Sequence, residues 1–153
     1  MLDREKNIII CEGVNACEAL IKRNIAAVGT LTGALGTPSK EALKPLEEKK
    51  RVIYVWPDND DVGVQHMERI SQKLHMLGAE DIRVIRWYGA PRKADAANYK
   101  GTKKAILQLI KEAKKWEPSL EPRHRGIMAI NPSSFSLQLR LTNDERPSVP
   151  RIE

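Results

Sequence analysis

Four short apolar runs, each leading into a stretch with helical spacing, constrain this chain more than any other feature. "NIIIC" (7–11), "IAAVGT" (25–30), "RVIYVW" (51–56) and "DIRVIRW" (81–87) are rich in β-branched residues and nearly continuously apolar, the pattern of strands buried on both faces. Between them, "GVNACEALIKRN" (13–24) sets Val14, Cys17, Leu20 and Ile21 at helical spacing, and a Lys/Glu-rich segment runs from Ser39, a good N-cap residue, to Lys50. After residue 60, Val64, Met67, Ile70, Leu74 and Leu77 share one helical face before Gly78 ends it, and "TKKAILQLIKEAKKW" (102–116) turns Ile106, Leu109, Ile110 and Ala113 inward. Such alternation predicts an α/β doubly wound fold with a four-stranded parallel sheet, because right-handed crossovers lay the helices over both faces of the sheet.

At 153 residues the chain is long enough for one domain with a proper core and too short for two. Mean hydropathy is −0.46 and no apolar run has the length of a signal peptide or membrane span, so a soluble, cytoplasmic protein with no membrane partner is expected. The two cysteines, Cys11 and Cys17, fit neither CxxC redox chemistry nor zinc ligation and are expected to be buried, inert thiols. A formal net charge of +6 favours a polyanionic partner such as nucleic acid.

In sheets of this kind ligands sit beyond the carboxyl ends of the strands, so the residues that directly follow each strand are the informative ones. Glu12-Gly13 follows the first strand, Asp58-Asn59-Asp60-Asp61 follows the third, and Asp95 lies on the long loop 88–101 after the fourth. An N-cap or a first helical turn accounts for one of these acids. Convergence of Glu12, Asp58, Asp60 and Asp95 from three strand ends onto one edge is what a hard divalent cation requires, since clustered carboxylates repel unless a cation satisfies them. Asp61 reads as a cap or an outer group. The loop "LTGALGTPS" lacks a Walker lysine and reads as a connector.

The units "IIICEGVNACEAL" and "VIYVWPDNDDVG", in this order and separation, resemble the TOPRIM domain of bacterial-type primases, primase-helicases, topoisomerases and related nucleases. With the later "KADAANY", the "PDNDDVG" form is most similar to the phage and plasmid primase-helicase type. The resemblance covers roughly residues 7–115 and implies a small Rossmann-like fold and nucleotidyl transfer in DNA replication. It implies Glu12 as the general base or acid, and Asp58 and Asp60, with Asp95 beside them, as carboxylates that hold Mg²⁺ or Mn²⁺. That assignment agrees with the chemistry, which needs a cation for developing phosphate charge and a carboxylate for the attacking hydroxyl's proton. Gly13 reads as a tight turn into the helix, and Gly63 as a turn, a close approach of helix to sheet or an approach for phosphate. Two positions depart from the family pattern: Ala16 and Asn98 stand where primase-type members commonly carry acids.

Arg92 and Lys93, beside Asp95, are the candidate phosphate contacts. The lysines of the last helix read as its solvated face, and His66 and His75 lie off the apolar face of theirs, as surface residues. Residues 1–116 are read as the TOPRIM domain and 117–153 as an extended tail or linker, because five of the nine prolines fall there; "SFSLQLRL" (134–141) alternates as an added strand would. Such a chain resembles one piece of a larger polypeptide. The expected partners are DNA or RNA, nucleoside triphosphates, and a helicase or other domains of a parent protein. Two function classes stand open: an Mg²⁺-dependent primase-like or nuclease enzyme, favoured by Glu12, Asp58 and Asp60, and a metal-retaining nucleic-acid-binding module without turnover, favoured by Ala16 and Asn98.

Overall fold

A computed structural model describes residues 6–33, 35–47 and 50–119. Contacts separate a unit Met1–Pro118 from Ser119–Glu153, and the expected strand at 134–141 lies outside the described residues. The elements are β1 (Asn7–Glu12), α1 (Gly13–Lys22), β2 (Ala27–Thr30), α2 (Lys40–Leu43) with a 3-10 turn (Lys44–Leu46), β3 (Val52–Trp56), α3 (Asp61–Met76), β4 (Asp81–Val84), α4 (Lys103–Glu112) and β5 (Lys114–Lys115). The sheet has five strands in the order β2-β1-β3-β4-β5. The pairs β1–β2, β1–β3 and β3–β4 are parallel and β4–β5 is antiparallel. The fold is therefore α/β with a mostly parallel sheet flanked by helices, with one strand more than the sequence led us to expect.

The period of two along each strand divides the core into two layers. Ile9, Cys11, Tyr54 and Trp56 pack with Ala16 and Leu20 of α1 and Ile106 and Ile110 of α4. On the other face, Ile10, Ile53, Val55 and Ile82 pack with Leu43, Leu46 and the Met67, Ile70 and Leu74 stripe of α3. In a parallel sheet of this order the chain turns one way after β1 and the other way after β3, so the crevice at the carboxyl end of the β1–β3 pair is the switch point. Cys11 pairs with Trp56 there, which puts Glu12 and Asp58 at the mouth of that crevice.

Several elements differ from the sequence expectation. The second helix stops at Leu46 rather than Lys50, because Pro45 cannot donate to the ladder and tightens the last turn to 3-10 geometry. Ser39 does cap it, accepting from Ala42 N–H at 3.2 Å. The last helix ends at Glu112 and not at 116: Ala113 is extended, Lys114 and Lys115 pair with Val84 and Arg83, and Trp116 N–H donates to Ile82 O at 2.7 Å. Burial of Trp116 in the second core layer, with its indole N–H donating to Glu68, outweighs another helical turn of exposed lysines.

On α1, Val14 and Ile21 are exposed, and the buried positions are Ala16 and Leu20. On α3 the inward face is rotated from the expected one: Val64 is exposed, whereas Gly63, His66 and Ser71 join Met67, Ile70 and Leu74 inside. His66 is thus a core residue and not a surface one. Its Nδ1 donates to Gly36 O, which can only accept, and its Nε2 bonds the Thr30 hydroxyl, each at 3.0 Å. His75 is exposed, as expected, and its ring lies 5.7 Å from that of Trp116. No helix among the described residues is long and apolar enough to cross a membrane.

Candidate metal and nucleic-acid site

Three acids crowd positions 58–61, and local structure gives each a different task. Asp60 is the N-cap of α3, its Oδ1 accepting from Gly63 N–H at 2.7 Å. Asp61, exposed in the first turn, complements the helix dipole and is not the cap. Asp58 does neither and is half-buried between the end of β3 and the first turn of α3. Gly63 is what admits it: a Cβ at position 63 would lie 2.7 Å from Asp58 Cβ and 2.8 Å from its carbonyl oxygen. Gly63 therefore serves close packing and not a turn, whereas Gly13, at φ +78°, is the expected turn into α1. A second close approach, missed in the sequence, is Gly29, where a Cβ would lie 2.5 Å from Gly13 O; it seats the start of α1 on β2.

Glu12 occupies the N-cap position of α1 but makes no side-chain capping bond, so its carboxylate is not spent on the helix. Asp95 is brought in by the loop 88–101, which is fastened at several points. Asn59 Nδ2 donates to Ala90 O at 2.7 Å and Pro91 O at 2.9 Å, while the Asn59 backbone exchanges bonds with Lys93 and Ala94. Arg23 of α1 donates to Tyr99 O at 2.9 Å. Tyr99 stands edge-on to Trp56 and Trp87, with ring centroids 5.7 and 5.0 Å away. Within the loop, Asp95 and Asn98 close on each other: Asn98 N–H donates to Asp95 Oδ1 at 3.0 Å and Asp95 N–H to Asn98 Oδ1 at 2.9 Å.

The consequence is electrostatic. Burial first, then the charges of Glu12, Asp95 and Asp60, push the Asp58 carboxyl up from an ordinary 3.8 to about 7. Glu12, Asp60 and Asp95 thus all act on this one residue from three strand ends. They do not form a cage around a cation: among the described residues no group of three or more His, Cys, Asp or Glu side chains is disposed to hold a metal ion. The capping bond of Asp60 and the closed turn of Asp95 explain why. The donor set fits a cation held by one or two carboxylates with waters completing the shell, as Mg²⁺ tolerates, better than a dedicated cage.

Arg92 and Lys93 are exposed on the loop that Asn59 tethers, Lys93 in a left-handed conformation at φ +61°. Ala16 is buried in the first core layer, and an acid there would lack solvent. A feature that the sequence did not bring forward is a cavity of about 220 Å³ beside Asp58, lined by Trp56, Asn59, Arg86, Trp87 and Tyr88 among others. Arg86 and Tyr88 are exposed on its rim. Because β4 ends at Val84 and not at 87, these side chains lie beyond the carboxyl end of the strand and not in the sheet. The signal was present, in that basic and aromatic residues directly follow a strand. No protein-family model, curated protein or solved structure matches this chain.

Proposed function

We propose that the chain is an Mg²⁺-dependent nucleotidyl-transfer domain of the primase-like TOPRIM type, acting on DNA or RNA with nucleoside triphosphates as substrates in a cytoplasmic setting. The observation that carries this reading is Asp58: a half-buried carboxyl at the switch point of the sheet, raised to about 7 by burial and three neighbouring acids. A carboxylate held in that state is stabilised by a bound cation, and perturbed acids in a cleft mark functional sites. Asp58, with the oxygen of Asp60 that does not cap α3, would hold Mg²⁺, which supplies charge neutralisation at the reacting phosphate when bound.

The chain's own residues supply the rest. Glu12, unspent at the end of β1, accepts the proton of the attacking hydroxyl. Arg92 and Lys93 meet phosphates on the exposed loop, and Arg86 and Tyr88 flank the adjoining cavity. The same carboxylates serve a TOPRIM-type nuclease, in which water replaces the hydroxyl. Template capture by a helicase or other domains of a parent protein belongs to this reading, since positioning of two nucleotides is worth several powers of ten in rate.

Purified protein with Mg²⁺ or Mn²⁺, labelled nucleotides and a single-stranded template tests it. Weak metal-dependent incorporation or cleavage, abolished in both Asp58→Asn and Glu12→Gln, is expected. A second reading, a nucleic-acid-binding module without turnover, is favoured by the buried Ala16 and by the closed Asp95–Asn98 turn. Oligonucleotide binding with no turnover under any divalent metal would select it.

A further inference from the structure

The two cysteines were expected to be inert, and the fold places them together. Cys11, on β1, pairs in register with Gly29 of β2, and neighbouring strands lie about 5 Å apart. The Cβ of Cys17, one turn into α1, lies 3.0 Å from where a Cβ of Gly29 would be, so Cys17 stands over the position next to Cys11. Gly29 leaves that space open. Both cysteines belong to the first core layer, Cys11 fully buried within it and Cys17 half-buried against it. Burial first, then the neighbouring Cys17, pushes the Cys11 thiol up, so Cys11 is not the first of the two to react, and Cys11 Sγ also donates to Val28 O at 3.7 Å.

We propose that Cys11 and Cys17 form an oxidation site: a dithiol that peroxide-class oxidants convert to an intramolecular disulfide across the β1–α1 junction. Half-buried Cys17 meets the oxidant first. Its sulfur attacks one peroxide oxygen, the O–O bond breaks, and the products are the Cys17 sulfenic acid and water. The Cys11 sulfur then attacks the Cys17 sulfur; the S–S bond forms, the S–O bond breaks, and hydroxide leaves with the Cys11 proton as a second water. The dithiol gives up two electrons and two hydrogens to the peroxide. Cys11 Sγ is buried against Val28 O and Cys17 stands over Gly29 beside it, so the thiol nearest to an oxidised Cys17 is that of Cys11.

The location gives the site its consequence. Between the two cysteines lie Glu12 and Gly13, the latter at φ +78°, so a disulfide ties the strand end to the helix and restrains the Glu12 backbone. This inference does not depend on the proposed enzyme activity, and its readout is chemical.

The experiment is titration of the full chain with hydrogen peroxide, followed by free-thiol counting, intact mass and peptide mapping. The expected result is loss of both thiols together, a mass lower by two hydrogens, and a link between the peptides carrying Cys11 and Cys17 that dithiothreitol reverses. Cys11→Ser should stop at a Cys17 sulfenic acid trapped by dimedone, and Cys17→Ser should leave Cys11 unreacted under the same dose. Amide exchange of residues 12–16 should slow at least severalfold in the oxidised wild type. Oxygen adducts accumulating on Cys17 with Cys11 still free, or disulfide-linked dimers in place of the internal link, would overturn the proposal, and both are read on the wild type without relying on any variant's folding.

Discussion

Removing one charge from this protein should stabilise it, and only above a certain pH. In the folded chain the Asp58 carboxyl is raised to about 7, by burial first and then by Glu12, Asp95 and Asp60, against 3.8 for an ordinary aspartate. Between those values the folded state holds a proton that the unfolded state has released, so stability falls as pH rises through this window. The penalty is absent below about 4 and complete above about 7. At about 1.4 kcal/mol for each tenfold change in proton affinity, the gap sets a ceiling of roughly 4 kcal/mol. Asp58 is only half-buried, and solvent screening brings the expectation down to about 2 kcal/mol. Asp58→Asn keeps the shape and drops the charge. At pH 8 the variant should therefore be about 2 kcal/mol more stable than wild type, a rise in Tm of roughly 6 °C for a unit of this size, and the difference should vanish by pH 4. Mn²⁺ should raise the Tm of wild type at pH 8 and leave that of the variant unchanged. Circular-dichroism melts across pH 4–8 measure both. A difference that does not vary with pH, or a variant less stable than wild type at pH 8, would refute the reasoning.

Gly63→Ala forces a Cβ to within 2.7 Å of Asp58 Cβ, so we expect destabilisation of about 1–3 kcal/mol by urea unfolding, typical of overpacking, together with loss of the Mn²⁺-induced NMR shifts at Asp58. Asn59→Asp turns two donated bonds into carboxylate–carbonyl repulsion; hydrogen exchange should show faster exchange at Lys93 and Ala94, the residues that the Asn59 backbone holds. Replacing Arg92 and Lys93 together by Ala should weaken binding of a single-stranded oligonucleotide and flatten its log–log salt slope by about 0.7 for each phosphate no longer neutralised, measured by fluorescence anisotropy. An unchanged slope would remove that loop from the nucleic-acid surface.

Much of the architecture was legible because it rests on local periodicity. The apolar runs at 7–11, 51–56 and 81–87 could be little else than buried parallel strands, though the last of them leaves the sheet after Val84, and Ser39 announced its own helix. The strand-end rule then pointed to Glu12, Asp58, Asp60 and Asp95 on one edge without any knowledge of distances. Errors arose where a contact remote in sequence outweighed local preference. Trp116 pulls Lys114 and Lys115 off a helix and into a fifth strand because its indole is worth more in the core than one more helical turn in water. His66, polar and one step off the apolar stripe, is interior because Thr30 and Gly36, some thirty residues earlier, satisfy both of its ring nitrogens.

The acidic turn divides the two kinds of information most sharply. The sequence alone determined that carboxylates follow β1, β3 and β4, and hence that a basic chain carries an acidic edge. Which aspartate caps, which is solvated and which titrates near neutrality was decided by tertiary structure, since residues 58, 60 and 61 are chemically identical side chains. One oxygen of Asp60 is spent because α3 starts one residue later, and Asp61 is exposed because it lies on the outer side of the first turn. The Asp58 carboxyl is raised because Gly63 lets the helix close on it while Asn59 holds Asp95 alongside. Proton affinity depends on burial and on charges that arrive from other strands, and those are set only when the chain has packed.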